Sequence, residues 1–240
     1  MINKAGLNKS RAVYYGILSK LLTFSYKDDR FFGVKESLPY LIENPLDENS
    51  RDAMQRLYKA FNEQGEEAFV KEYDQVFHLI SNKIVRNTAS YYDDGIEGGK
   101  KQLEVKNFLA KTKIRRDEKN FKEPEDSVGF LLVFMYELTE LILEGKEEYA
   151  SLGHCLFSEV INPFIDTFIN EMFNHPCSDL YKDVAILLNA FMEFERLYFE
   201  VEKVGLIDLK NPQNISRSES ERREKNKAKR DTEKRVKNAF

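Results

Sequence analysis

Apolar residues recur along this chain at intervals of three and four and rarely alternate, a pattern that predicts helices rather than strands. Val13, Ile17, Leu21 and Phe24 form the first stripe, widened by Tyr14, Leu18 and Leu22, with Ser10 placed to cap it. Asp28 or Asp29 opens a second helix through Phe31, Phe32 and Leu38 that ends near Tyr40, before Pro45. A third runs from about Asp47 to Asn62 and stops at Gly65, and a fourth carries Phe69, Tyr73, Val76, Phe77 and Ile80. The pattern breaks over residues 81–95, resumes with Val105, Phe108, Leu109 and Thr112, and breaks again over a charged connector at residues 113–122. Glu123-Pro124-Glu125-Asp126-Ser127 then reads as the entry to the most apolar helix, Val128 to Leu143. Pro124 suits its first position, and three carboxylates face its positive N-terminus. Tyr149, Leu152, Leu156 and Val160 make a further stripe. Asn162-Pro163 reads as a cap and helix start before Phe164, Ile165, Phe168 and Ile169. Ser178 is read as the cap of a last helix carrying Tyr181, Val184, Leu188, Phe191, Glu195 and Tyr198.

The pattern predicts an all-α fold: a single globular domain of about nine or ten helices over residues 1–210, then a tail over residues 211–240 that is disordered or a solvated helix. The 11 glycines and 6 prolines in 240 residues are too few for an all-β or doubly wound fold. No run of about 18 apolar residues exists and the N-terminus lacks a signal-peptide core, so neither membrane insertion nor export is expected. Two cysteines, Cys155 and Cys177, fit a reducing cytoplasm. Charge divides unevenly: the tail has ten Lys/Arg against five Asp/Glu, a net of +5, so of the chain's −4 residues 1–210 carry −9. An acidic body favours positively charged partners and makes nucleic acid a poor one.

Several candidate chemistries do not close. His154, Cys155, His175 and Cys177 match no zinc spacing, and Glu171 with His175 is not a di-iron pair. Gly95-Ile96-Glu97-Gly98-Gly99-Lys100-Lys101 lacks the Gly at position 94 and the Ser or Thr at position 101 that a P-loop needs. Asp93, Asp94 and Glu97 resemble the acidic Mg²⁺ motif of all-α prenyl-diphosphate enzymes, but no second metal motif follows. No catalytic nucleophile, cofactor or metal set is assigned, and the chain is expected not to be an enzyme.

Two interruptions remain. Ser90-Tyr91-Tyr92-Asp93-Asp94-Gly95 is either a connecting loop with tyrosines tucked into the core or a place where aromatic faces and carboxylates meet. Glu123–Ser127 is either a helix cap alone or the acidic rim of the same surface. Such a surface suits a peptide with an apolar stretch and arginines, the rings burying one and the acids pairing with the other.

The order Arg11, Tyr14, Leu18, Leu21; Tyr73 and Phe77; Ser90-Tyr91-Tyr92 with Gly95; Glu123-Pro124 with Asp126; Asn162-Pro163-Phe164; and Leu180-Tyr181 with Val184, Ala185 and Leu188 resembles the TorD/DmsD/NarJ family of cytoplasmic chaperones for molybdenum redox enzymes. The resemblance covers roughly residues 10–205. It implies a non-enzymatic protein that binds the twin-arginine leader and apo form of a molybdopterin enzyme, of formate dehydrogenase or DMSO/TMAO reductase type, and assists cofactor insertion and export proofreading. It also implies a monomer or a homodimer by helix exchange, with residues 113–122 as the hinge. The family's signature regions fall on Ser90, Tyr92 and Gly95 and on Glu123, Pro124 and Asp126; Ser127 stands where relatives carry histidine. On this reading Phe77, Tyr91 and Tyr92 contact the leader and Asp93, Asp94, Glu123 and Asp126 form its charged rim. The competing readings are the Mg²⁺-dependent prenyl-diphosphate enzyme and a generic helical adaptor.

Overall fold

The structure, a computed structural model, describes residues 4–25, 30–79 and 83–207. Within them lie ten α-helices: α1 (Lys4–Leu22), α2 (Val34–Glu43), α3 (Glu48–Glu63), α4 (Glu66–Phe77), α5 (Ala89–Asp94), α6 (Lys100–Ala110), α7 (Val128–Leu143), α8 (Tyr149–Leu156), α9 (Ile165–Phe173) and α10 (Leu180–Phe199). A π-helical turn, Phe157–Ile161, continues α8. The fold is a single all-α domain, and among the described residues extended pairing is confined to one antiparallel bridge between Thr88 and Ser127.

The near all-round apolarity of α7 places it at the centre, where it makes the most extensive helix pair of the molecule with α1. Gly129 permits the approach. A Cβ there would lie 2.4 Å from Thr23 Oγ1 and 2.8 Å from the Leu22 carbonyl oxygen. On the other side α10 packs against α1, α3, α4 and α9. A buried ion pair ties α1 to α10: Arg11 Nε and Nη2 donate to the two Glu195 carboxylate oxygens at 2.6 and 2.7 Å, and the Tyr15 hydroxyl donates to the same carboxylate at 2.5 Å.

The third helix starts where expected, and Asp47 caps it in a reciprocal box with Ser50. Other ends differ from the sequence reading. Ser10 lies within α1, which begins by Lys4, and its hydroxyl donates to the Gly6 carbonyl at 3.3 Å. Gly33, at φ 78°, precedes α2. Pro124 is not in a helix: it sits in the turn before α7, and Ser127 is the cap, its Oγ accepting from the Phe130 N–H at 3.2 Å. Ser178 caps nothing. The first N–H groups of α10 instead donate to Glu72 of α4, those of Asp179 and Tyr181 at 2.7 Å and that of Leu180 at 3.1 Å. One carboxylate thereby satisfies three orphan donors where the helix dipole is positive, which a hydroxyl cannot match. Asn162 does not cap α9. Its Oδ1 accepts from Arg196 Nε at 2.8 Å, and its amide nitrogen turns to residue 202. The expectations placed on Asp28, Asp29, Ile80 and residues 211–240 lie outside the described residues.

Candidate peptide-binding site

The two interruptions meet. Residues 87–89 run antiparallel to residues 126–128, with the Ala89 N–H donating to the Asp126 carbonyl at 2.9 Å and the Val128 N–H to the Asn87 carbonyl at 2.8 Å. Ser90–Gly95 is not a loop. It forms most of α5, closed by Gly95 at φ 72°, whose N–H returns to the Tyr91 carbonyl. So short a helix does not hold itself. Thr88, its own N-cap residue, makes no capping bond. The cap comes from Asp126, whose Oδ2 accepts from the Ser90 N–H at 2.9 Å and from the Ser90 hydroxyl.

Asp126, Ser127 and Ser90 are therefore fully enclosed, and Glu123 nearly so. This corrects the expectation that Glu123 and Asp126 form an open charged rim. Both oxygens of Glu123 and the Oδ2 of Asp126 hold structure, while the Asp126 Oδ1 is buried without a hydrogen-bond partner. Glu123 accepts from the Tyr73 hydroxyl at 3.0 Å, Asn87 Nδ2 at 2.8 Å and the Ser127 hydroxyl at 3.4 Å. Burial raises its carboxyl above the ordinary range, against those hydrogen bonds. Pro124 contributes a carbonyl to the turn, accepting from the Ser127 N–H at 3.1 Å. Phe77 is likewise no groove residue: its ring is packed in the core among Tyr73, Phe168 and Tyr181.

What faces outward lies on α5. Tyr91 is half-buried, edge-on to Tyr92, with the Arg86 guanidinium 5.8 Å from its ring. Tyr92 is buried and stacks on Phe164, its hydroxyl 2.8 Å from both the Arg86 carbonyl and Glu171 Oε2. Burial pushes that hydroxyl well above the ordinary phenol range, and Glu171 adds to the rise. Asp93 is half-buried. Burial raises its carboxyl, Lys101 opposes, and Asp94 adds to the rise. Asp94 turns away to the start of α6, where its Oδ2 accepts from the Lys100 N–H at 3.3 Å. A Cβ at Gly99 would stand 2.6 Å from that oxygen, so the glycine-rich stretch is a tight turn between α5 and α6. Glu97 pairs with Arg86 at 2.8 Å. Asp93 and Asp94 thus interact with each other, with Lys101 opposing at Asp93 and the Lys100 N–H bound to Asp94, while Glu97 is drawn off to Arg86. Among the described residues no three His, Cys, Asp or Glu side chains converge as an ion site.

Tyr92 and Asp93 line a cavity of about 450 Å³ with Ala89, Lys101, Val160, Pro163 and Phe164. Its far wall is residues 204–207, the segment that follows α10. Sequence reasoning missed this wall, because Asn162-Pro163 resembled a simple helix start and nothing after Tyr198 has a periodic pattern. Neither Cys155 nor Cys177 is in a disulfide.

A cavity with aromatic walls and one carboxylate and one ammonium group, Asp93 and Lys101, beside a helix held from behind, is the surface feature of this all-helical scaffold that the two interruptions build. A model of the nitrate reductase delta subunit family matches residues 43–170, just over half of the chain, and the chain belongs to that family. It is a family of molybdoenzyme maturation chaperones rather than of catalysts, and its members work with molybdoenzyme precursors. The matched stretch runs from the end of α2 into α9 and includes both interruptions. No curated protein matches the chain in sequence. Among the described residues no helix is long and apolar enough to cross a membrane.

Proposed function

We propose that this chaperone acts in the cytoplasm on the precursor of a twin-arginine-exported molybdenum enzyme, binding its leader while the apoenzyme receives its cofactor. The observation that carries the reading is the cavity beside α5: an aromatic floor of Tyr92 and Phe164 with the Asp93 carboxylate at its edge. A leader's apolar segment lies against the rings, and a leader arginine meets Asp93 and the acidic body. Apolar burial carries most of the affinity, and charge governs selectivity and encounter rate. Ser90, Gly95, Glu123, Pro124, Asp126 and Ser127 serve the site by fixing α5, while Tyr91, Tyr92 and Asp93 touch the leader.

The test is fluorescence anisotropy with labelled twin-arginine leader peptides from molybdoenzyme precursors of the same cell, added to the purified full chain. Saturable binding is expected, weakened about threefold by Asp93→Asn at low salt, the scale of one exposed charge pair, and less so at high salt. Failure of every such leader to bind refutes the reading.

A further inference from the structure

The cavity beside α5 is bounded on one side by the chain itself. α10 ends at Glu200, whose φ of 55° makes it the one non-glycine residue in left-handed backbone among the described residues. The Val201 N–H returns to the Arg196 carbonyl at 3.0 Å, and residues 201–207 then run as an irregular strap. Side chains of the preceding corner hold the main chain of this strap. Asn162 Nδ2 donates to the Glu202 carbonyl and the Ile207 N–H donates to Thr167 Oγ1, each at 2.9 Å. Lys203 Nζ reaches Glu193 at 2.5 Å and Asp166 at 3.7 Å. Residues 204–207 wall the cavity of Tyr92 and Phe164, while Lys203 and Leu206 border a second cavity of about 680 Å³ that contains Ile169, Phe173 and Ile186. Leu206 lines both.

The strap's own side chains fill neither cavity. Val204 is 42% exposed and Leu206 62% exposed, and a Cβ at Gly205 would meet nothing within 4 Å. Val201 and Ile207, at the two ends, are partly buried against the core, while the middle of the strap is held through its backbone and the Lys203 ion pair with Val204 and Leu206 left in water, so the groups that hold it there read an extended chain and a cation more than particular apolar side chains. Asn162 and Thr167 offer the same two bonds to any peptide passing there. Asp166 and Glu193, already paired with Arg196, accept a second cation at the Lys203 position, and the apolar parts of the two cavities, Phe164 and Val160 in one and Ile169, Phe173 and Ile186 in the other, have room for larger side chains than the strap supplies.

We propose that residues 201–207 are the chain's own occupant of an extended-peptide groove. A client segment displaces them when it carries Lys or Arg at the Lys203 position and bulky apolar residues just beyond. This rests on the peptide-binding reading above, since it makes the same groove the leader's seat and the strap its competitor.

The experiment loosens the strap without touching the groove. Lys203→Ala removes the ion pair and Ile207→Pro removes the N–H donor; both are made together in the full chain. The probe is a fluorescent, acetylated octapeptide of the native sequence from Glu200 to Ile207. It is expected to bind the double variant saturably and roughly tenfold more tightly than the unaltered protein, the scale of the lost pins. Hydrogen exchange is expected to show Ile207 protected in the unaltered protein and freed in the variant, with the helices unchanged. Equal affinity for both proteins, no binding to the variant, or an unprotected Ile207 in the unaltered protein overturns the inference. A twin-arginine leader peptide is expected to compete the octapeptide away. A leader that binds without displacing it overturns the shared seat but leaves leader binding intact. Octapeptide binding with no leader binding refutes the leader reading and leaves the self-occupied groove standing.

Discussion

Asp126 offers the sharpest test of how the site is built. It is fully enclosed, and its Oδ2 accepts two hydrogen bonds from Ser90, one from the main chain and one from the hydroxyl. The main-chain donor is one of the orphan N–H groups of α5, a helix of six residues. Asp126→Ala leaves both donors buried without a partner and opens a small void. Each bond to a carboxylate is worth about 1.5–3 kcal/mol, and the relief of not burying the carboxylate offsets part of the loss. The net cost comes to about 2–4 kcal/mol, a scale typical of a broken buried network. Asp126→Asn keeps an acceptor for the N–H and is expected to cost about half as much. Ser90→Ala gives up only the hydroxyl bond, about 1–2 kcal/mol, and its effect shrinks in the Asp126→Ala background because the two residues act as one unit. Urea unfolding reads these as shifts of midpoint at constant slope. Hydrogen exchange should show α5 losing protection ahead of α7. An Asp126→Ala protein that keeps its midpoint and α5 protection yet loses leader binding would refute the account, because the carboxylate would then be a direct contact.

Two further outcomes follow from the same geometry. The folded-state carboxyl of Glu123 is raised by burial, so the folded chain binds its proton more tightly than the unfolded chain does, and this group's contribution to stability falls as pH rises from about 4.5 through the folded value. Glu123→Gln keeps an acceptor for Tyr73 and Asn87, and is expected to flatten that part of a stability–pH profile without lowering stability at neutral pH; a profile unchanged by the substitution refutes it. Gly129→Ala forces a methyl group onto the backbone of Leu22 and Thr23, and overpacking of that kind costs about 1–3 kcal/mol; an unchanged thermal midpoint would show that α1 and α7 separate freely.

Local chemistry is legible where it closes on itself. The 3.6-residue periodicity is enough for an all-α fold, and the near all-round apolarity of Val128–Leu143, broken only by Glu137, Thr139 and Glu140, is enough to place α7 centrally, because a helix with so little polar surface must be buried over most of its length. The Asp47–Ser50 box is local in the same sense, since both partners lie within one turn. The resemblance carried by Ser90–Gly95 and Glu123–Ser127 pointed to the family, and those stretches do lie side by side. What they do there was not readable. Carboxylates at the head of an apolar helix look the same in sequence whether they face water or a second helix, and only packing turned Asp126 inward to cap α5. Glu72 makes the point again, since it caps α10 from 107 positions away, where local rules proposed Ser178. The strap was invisible because its bonds run from its backbone to Asn162 and Thr167, and a backbone leaves no trace in a sequence. Periodicity, charge and short-range caps belonged to the sequence by itself. The tertiary structure decided which acids became buried caps, and which groove the chain keeps for itself, because both depend on groups that meet only after the helices have packed.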